Sequence, residues 1–256
     1  MKNNKVIVQI SEGLGNQLFM FAHGLSLSKR LSYDLEIDNI SAYKRNKNLL
    51  RNHQKYLLDN FSLNFPTVKN DFLVNSKFYI FKKKIFLFCD YFKKRKSFYI
   101  EAKHKINNIK KANNSTILNA DNLSNKIYVI GNFENQNYFK IYRNELIKNF
   151  TIKNKCLNLK NPVINELKNS NSISIHIRRN KFSDQKKIIN TNLINKSLNF
   201  TTNSIEYINN GINYFNKKID NPKYFIWTNE INGIEEFTNK LNTSNFSLVK
   251  NNDVIN

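Results

Sequence analysis

Lys5-Val6-Ile7-Val8-Gln9-Ile10, then Ser11-Glu12-Gly13-Leu14-Gly15-Asn16, then Gln17 to Leu31, then Asp34 to Asp38: the reading of this opening decides the fold. The first run is short and β-branched, as a strand is. The second is a glycine-rich turn. Gln17 to Leu31 sets Leu18, Phe21, Ala22 and Leu25 on one face at helical spacing. Asp34 to Asp38 resumes strand alternation. Strand, turn, helix and strand make a βαβ unit, which predicts a parallel sheet with helices on its faces.

The alternation returns further along. Lys126 to Ile130 predicts a strand, followed by Gly131-Asn132-Phe133-Glu134-Asn135-Gln136 and a helix from about Tyr138 to Phe150. Asn154 to Ser172 holds Asn161-Pro162 among many Asn and Lys and predicts a connection between domains. A second series follows. It has a strand at Ser172–Ile177, an amphipathic helix at Ser204–Ile219, a strand at Lys223–Trp227, a helix at Glu230–Leu241 and a strand at Phe246–Val249. The expected fold class is α/β, with two Rossmann-type domains facing a cleft: residues 1–153, a linker at 154–172, and 173–256. Residues 44–111 have weak periodicity and read as short helices and loops.

Composition narrows the function classes. Of 256 residues 40% are hydrophobic, with 20 Phe and 12 Tyr, enough for real cores. The net charge of +22 has three readings. One is nucleic-acid binding, one is attraction to an anionic membrane or a phosphate-bearing substrate, and one is the Lys- and Asn-rich coding bias of an AT-rich genome. Cys89 and Cys156 are too far apart for a C-x-x-C or zinc spacing, and two cysteines make no disulfide framework. Neither a secretory apolar region nor a membrane-length apolar run is visible, so a cytoplasmic setting is expected. Phe78 to Lys96 interleaves aromatics with Lys82, Lys83, Lys84, Lys93, Lys94, Arg95 and Lys96. It reads either as a partly buried element with a solvated basic face or as a membrane-surface patch.

Two motifs can carry chemistry. In Gly13-Leu14-Gly15-Asn16-Gln17, glycines let a ligand approach the backbone, and the N–H groups of a helix start attract anions. The alternative is an ordinary turn with Asn16 as N-cap. Leu18 stands where the dinucleotide pattern needs a small residue, and no Gly-Lys-Ser/Thr of a P-loop is present. In Ser174-Ile175-His176-Ile177-Arg178-Arg179-Asn180, a strand ends in His and two Arg, at the edge where α/β sheets bind ligands. An arginine fork suits phosphate. The alternative is a basic strand end paired with surface carboxylates.

Taken together, these motifs resemble glycosyltransferase family 11, the α-1,2-fucosyltransferases. Val6 to Asp38, with Gly13-Leu14-Gly15-Asn16-Gln17-Leu18-Phe19, is similar to the family's opening. Gly131 to Phe139 is similar to its central segment, Ile173 to Arg179 to its diphosphate-binding strand, and Asn221 to Glu230 to its Asn-Pro-Lys region. The resemblance implies a GT-B-like fold and inverting, metal-independent transfer of L-fucose from GDP-fucose to the 2-hydroxyl of a terminal galactose in a surface glycan. It implies no cofactor beyond the GDP-fucose donor. The setting would be surface-polysaccharide or lipopolysaccharide assembly, with peripheral contact at the inner face of the cytoplasmic membrane.

The implied site has Arg178 on the diphosphate, with His176 and Arg179 positioning it. Gly13, Gly15, Asn16, Gln17 and Glu134 line the cleft from the first domain. The proton acceptor is not legible; Asp184, Glu134 and His23 are candidates by location. The chain departs from the family at Lys181, where Asp is usual, at Asn229-Glu230, and at Glu12, where a glycine is common. It also stops before the family's usual closing segment, so a C-terminally truncated second domain is expected. Two alternatives stay open: an inactive GDP-binding fragment, and a basic RNA-binding protein, although no RNA-binding module is recognisable.

Overall fold

The computed structural model describes residues 4–44, 55–101, 123–153, 162–177, 191–228 and 231–249. The chain divides into two compact units, Met1–Lys153 and Asn154–Asn256.

The first unit contains β1 (Lys5–Gln9), α1 (Leu14–Leu31), β2 (Asp34–Asp38), α2 (Tyr79–Phe92), β3 (Lys96–Ile100), β4 (Leu123–Ile130) and α3 (Arg143–Asn149). Its sheet has the order β2-β1-β4-β3 and is parallel throughout. Val6 sits opposite Leu35 on one side and Ile127 on the other. Val6, Val8, Ile127 and Val129 are fully buried and pack with Met20, Phe21 and Leu25 of α1. A parallel strand covered on both faces reads as such a continuous apolar run. Gly24 lets α1 lie close to β1, since a Cβ there would fall 2.9 Å from the Val8 side chain. On the opposite face Ile7, Val68 and Val74 form a smaller cluster around Tyr128. Asp71 is buried there beside Lys126 (2.8 Å) and the Tyr128 hydroxyl (2.9 Å). Burial pushes the Asp71 carboxyl up. Hydrogen bonds from Lys126, the Val74 N–H and Tyr128 outweigh it, and the carboxyl ends below its usual range.

The second unit contains α4 (Pro162–Asn169), β5 (Ser172–Ile177), α5 (Thr191–Asn216), β6 (Lys223–Thr228), α6 (Glu235–Thr238) and β7 (Phe246–Val249). The sheet order is β5-β6-β7, again parallel. Ile175 and Ile177 pack with Ile212 of α5 and with Tyr224 and Ile226 of β6. Glu166 of α4 pairs with Lys223 and accepts from Ser247 Oγ at 3.4 Å. Residues 154–172, read as a connection, therefore include a helix tied to this sheet, with Ile164 buried.

Several boundaries differ from expectation. The first helix starts at Leu14 rather than Gln17, so Gly13, not Asn16, is its N-cap. The helix expected over 138–150 resolves into two short 3-10 turns and α3. The helix expected over 230–241 shrinks to α6, because Gly233 takes φ 67° and interrupts it. Residues 44–111 hold a 14-residue helix and a sheet strand where short helices and loops were expected. Among the described residues, no helix is long and apolar enough to cross a membrane.

Candidate functional site

The parallel sheet of the first unit ends in two loops that meet beyond β1 and β4. Strand β1 lies where the chain order reverses, with β2 on one side and β4 on the other, and α/β sheets bind ligands at such a switch point. After β1 the backbone turns at Glu12, whose φ of 64° is left-handed. Gly13 follows in extended geometry as the N-cap, with no side-chain cap bond and no acidic residue in the first turn of α1. The first N–H groups of an 18-residue helix are thus available to an anion. Gly13 and Gly15 are exposed, and a Cβ built on either meets nothing within 4 Å. Packing does not require glycine at these two positions. What their glycines do provide is open space above the backbone.

The rest of the motif holds the turn in shape. Gln17 is fully buried. Its Nε2 donates to the carbonyls of Glu12 (2.9 Å) and Lys55 (2.7 Å), and its Oε1 accepts from the Leu57 N–H (2.9 Å). The expected substrate contact at Gln17 is corrected to a positioning role, because all its bonds run into the protein. Asn16 is half-buried and donates to the Glu12 carboxylate.

The loop after β4 is built around a second left-handed residue, Phe133 at φ 53°. Its ring is fully buried, stacked on His23 at 3.9 Å and on Tyr99 at 5.9 Å. That burial offsets a backbone cost of roughly 1–3 kcal/mol. Glu101, just past β3, accepts from the N–H groups of Asn132 (2.8 Å) and Phe133 (3.0 Å). Gly131 is a steric necessity, since a Cβ would fall 2.4 Å from Glu101 Cβ. Asn132 Nδ2 reaches both Glu12 and Glu134 at 3.4 Å and so bridges the loops. Glu134 itself is exposed.

Between these loops and α2 lies a cavity of about 480 Å³, within the range of small-molecule sites. Gln9, Ser11, Glu12, Tyr79, Lys83, Lys84, Glu101 and Asn132 are among its lining residues. Gln9 Nε2 donates to Ser41 Oγ (2.5 Å) and Tyr79 Oη (2.6 Å). Carboxylates, amides and hydroxyls suit sugar hydroxyls, and the lysines suit an anion. Tyr43, also in the lining, is pushed up to about 12 by burial and then by the nearby Asp38. Among the described residues, no group of three His, Cys, Asp or Glu could hold a metal ion.

His23 does not serve this site as a base. It is 3% exposed, boxed by Phe133, Tyr99 and Tyr138, and both ring nitrogens lack a hydrogen-bond partner among the described residues. Burial, and secondarily the Arg30 charge, lower its pKa to about 3. Its imidazole is a neutral core group.

In the second unit, His176 and Trp227 sit opposite each other near the carboxyl ends of β5 and β6. The rings stack at 6.1 Å and 13°. His176 is exposed, and Trp227 Nε1 is buried with no partner among the described residues. Arg178, Arg179, Lys181, Asp184, Asn229 and Glu230 lie outside the described residues.

Sequence reasoning missed Glu101, Tyr79, Lys83 and Lys84 as lining residues. For Glu101 the available signal was its place at the end of the Ser97-Phe98-Tyr99-Ile100 strand run.

No protein-family model and no curated protein matches the chain. Among solved structures, fucosyltransferase NodZ from Bradyrhizobium is similar with a TM-score of 0.46 and 11% identity, over 98% of this chain and 79% of that one. NodZ alpha-1,6-fucosyltransferase co-crystallised with GDP gives a TM-score of 0.47 and 10% identity, over 97% of this chain and 79% of that one. The same enzyme soaked with GDP-fucose gives 0.45 and 11%, over 97% and 78%. Likeness at this level supplies no argument about activity.

Proposed function

We propose that this chain transfers L-fucose from GDP-fucose to the 2-hydroxyl of a terminal galactose in a surface glycan, with inversion at the anomeric carbon. One observation carries the reading. Two of the segments that resemble the α-1,2-fucosyltransferases lie at the carboxyl ends of parallel strands, Gly13–Gln17 after β1 and Gly131–Phe139 after β4, while the other two run the length of β5 and β6. Ligands of open α/β sheets bind at those ends. Within the first unit the open glycine turn of α1 supports the reading, and within the second, separately, the His176–Trp227 pair does.

In this reading Arg178 holds the diphosphate, with His176 and Arg179 beside it. The bond between fucose C1 and the phosphate oxygen breaks, and GDP leaves with the electron pair, its charge met by the arginine. The acceptor 2-hydroxyl oxygen forms the new bond to C1 from the opposite face and gives its proton to a carboxylate. Glu101 is committed to holding the Asn132–Phe133 backbone. Glu12, whose carboxylate accepts from the side-chain amides of Asn16 and Asn132 and leaves the backbone of the loop to Glu101, and Asp184 are the carboxylates proposed for the proton, with Glu134 at the acceptor side. No metal or cofactor enters the scheme, and the setting is cytoplasmic.

Calorimetric titration tests the donor half. GDP binds wild type, binding is lost in Arg178→Ala, and single-stranded RNA does not compete. Absence of GDP binding, or RNA binding at the same residues, overturns the reading. GDP binding with no transfer would make the chain an inactive GDP-binding protein.

A further inference from the structure

Helix α2 exposes the side that a water-facing helix would keep polar. Among its fourteen residues only Tyr79 and Asp90 are buried. Phe81, Ile85, Phe88 and Phe92 recur at i, i+4, i+7 and i+11, which is one stripe of a helix. That stripe points outward, with Phe81 65%, Phe88 69% and Phe92 71% exposed. Ile80 and Tyr91 extend it on one side, and Phe72 and Phe78, also exposed, lie just before the helix. Phe92 packs edge-on against Phe88 and Tyr91, both at 5.3 Å. An exposed apolar surface this continuous marks a docking site.

The charge around it selects the partner. Residues 72–96 carry eight Lys and Arg and one acid, Asp90. Asp90 is turned inward, accepting from the N–H groups of Ser97 (2.8 Å) and Phe98 (3.3 Å). Lys82 lies over the Phe72 ring at 3.6 Å, its stem along apolar surface. A second copy docked on this face would bring two such cationic sets together with no carboxylate to pair them. RNA would use the ring faces, but Ile80 and Ile85 add nothing to base stacking, and Phe88, Tyr91 and Phe92 pack on one another. A bilayer with anionic headgroups meets both requirements, apolar depth for the stripe and negative charge for its rim.

We infer that α2, with Phe72, Phe78 and the Lys93–Lys96 run, is a docking surface for an anionic lipid bilayer. The helix lies along the membrane plane, its aromatic stripe at the boundary of headgroups and acyl chains, with the exposed Lys93, Lys94 and Arg95 just after it reaching to the phosphates. The same helix contributes Lys83 and Leu87 to the cavity lining from the side opposite the stripe, so docking would hold the cavity about one helix diameter from the membrane surface. The inference does not depend on which sugar is transferred.

Co-sedimentation of the full chain with vesicles tests it. Binding is expected to vesicles of phosphatidylcholine mixed with phosphatidylglycerol and not to phosphatidylcholine alone. Phe81→Ser/Phe88→Ser/Phe92→Ser and Lys93→Glu/Lys94→Glu/Arg95→Glu should each weaken partition by at least about tenfold. Thermal unfolding should match wild type, because these side chains are exposed. Phe88→Trp should shift its emission to the blue on the anionic vesicles. Absence of anionic-vesicle binding overturns the inference. So does unchanged binding in the triple Phe variant, which would leave only the diffuse charge of the chain. A dimer in lipid-free solution that the Phe variant splits, or RNA bound through the same residues, would assign the face to another partner and overturn it as well.

Discussion

Replacing Gly15 with Ala separates the two reasons for which a glycine can occupy a turn. Gly15 is the second residue of α1, it is exposed, and an added Cβ meets nothing within 4 Å. The substitution therefore has no steric cost within the protein. It removes the conformational freedom that glycine has in the unfolded chain, and Ala is favoured in helices by up to about 1 kcal/mol. Near the helix start roughly half of that is expected, a rise in unfolding midpoint of about 1–3 °C. If the glycine serves a ligand that approaches the backbone, the new methyl occupies that ligand's space. Turnover per substrate concentration should then fall at least about tenfold, or about 1.4 kcal/mol. Thermal unfolding and initial-rate kinetics on the same preparation read both effects. A stability gain with unchanged kinetics would refute the assignment of this turn to ligand binding. A stability loss would refute the local geometry.

The core beneath the site gives a pH prediction. The His23 pKa is lowered from 6.5 to about 3 in the folded state, so the unfolded chain takes up the proton first. Stability is full above pH 6.5 and falls as pH drops from 6.5 toward 3, by about 2 kcal/mol at pH 5. His23→Phe should abolish that slope in urea unfolding while leaving activity intact. Gly131→Ala should cost about 1–3 kcal/mol in the same assay, because its Cβ would overlap Glu101. At Glu12 the left-handed φ of 64° makes the glycine variant more stable than the alanine variant by about 1 kcal/mol. Glu12→Gln should keep stability and GDP affinity but lower kcat about a hundredfold if the carboxylate takes the proton.

Much of this architecture is legible locally. β1, α1 and β2 each carry an apolar pattern that matches their own period, and β5 and β6 sit where alternation places them. α2 is harder to read because its apolar stripe faces outward, so periodicity does not report a core contact. The segment after β4 bends where Phe133 adopts a conformation that aromatic residues rarely take, and only the packing of His23, Tyr99 and Tyr138 around it explains why. Gly13 is legible as a turn residue, while Gly15 and Asn16, read with it as a turn, fall in the first turn of α1. Gln17 is polar yet buried, and its partners at 55 and 57 are about forty residues away, beyond what spacing can show. Glu101 reaches the site only because β3 pairs with β4, a tertiary fact.

The most direct test of the central claim is transfer from isotopically labelled GDP-fucose to an acceptor ending in β-galactose, with the linkage of the product determined. The account predicts a fucosylated product joined α-1,2 at wild type and none with Arg178→Ala. A product fucosylated at another hydroxyl would contradict the proposed specificity, and failure of the chain to bind GDP or transfer fucose would contradict the function itself.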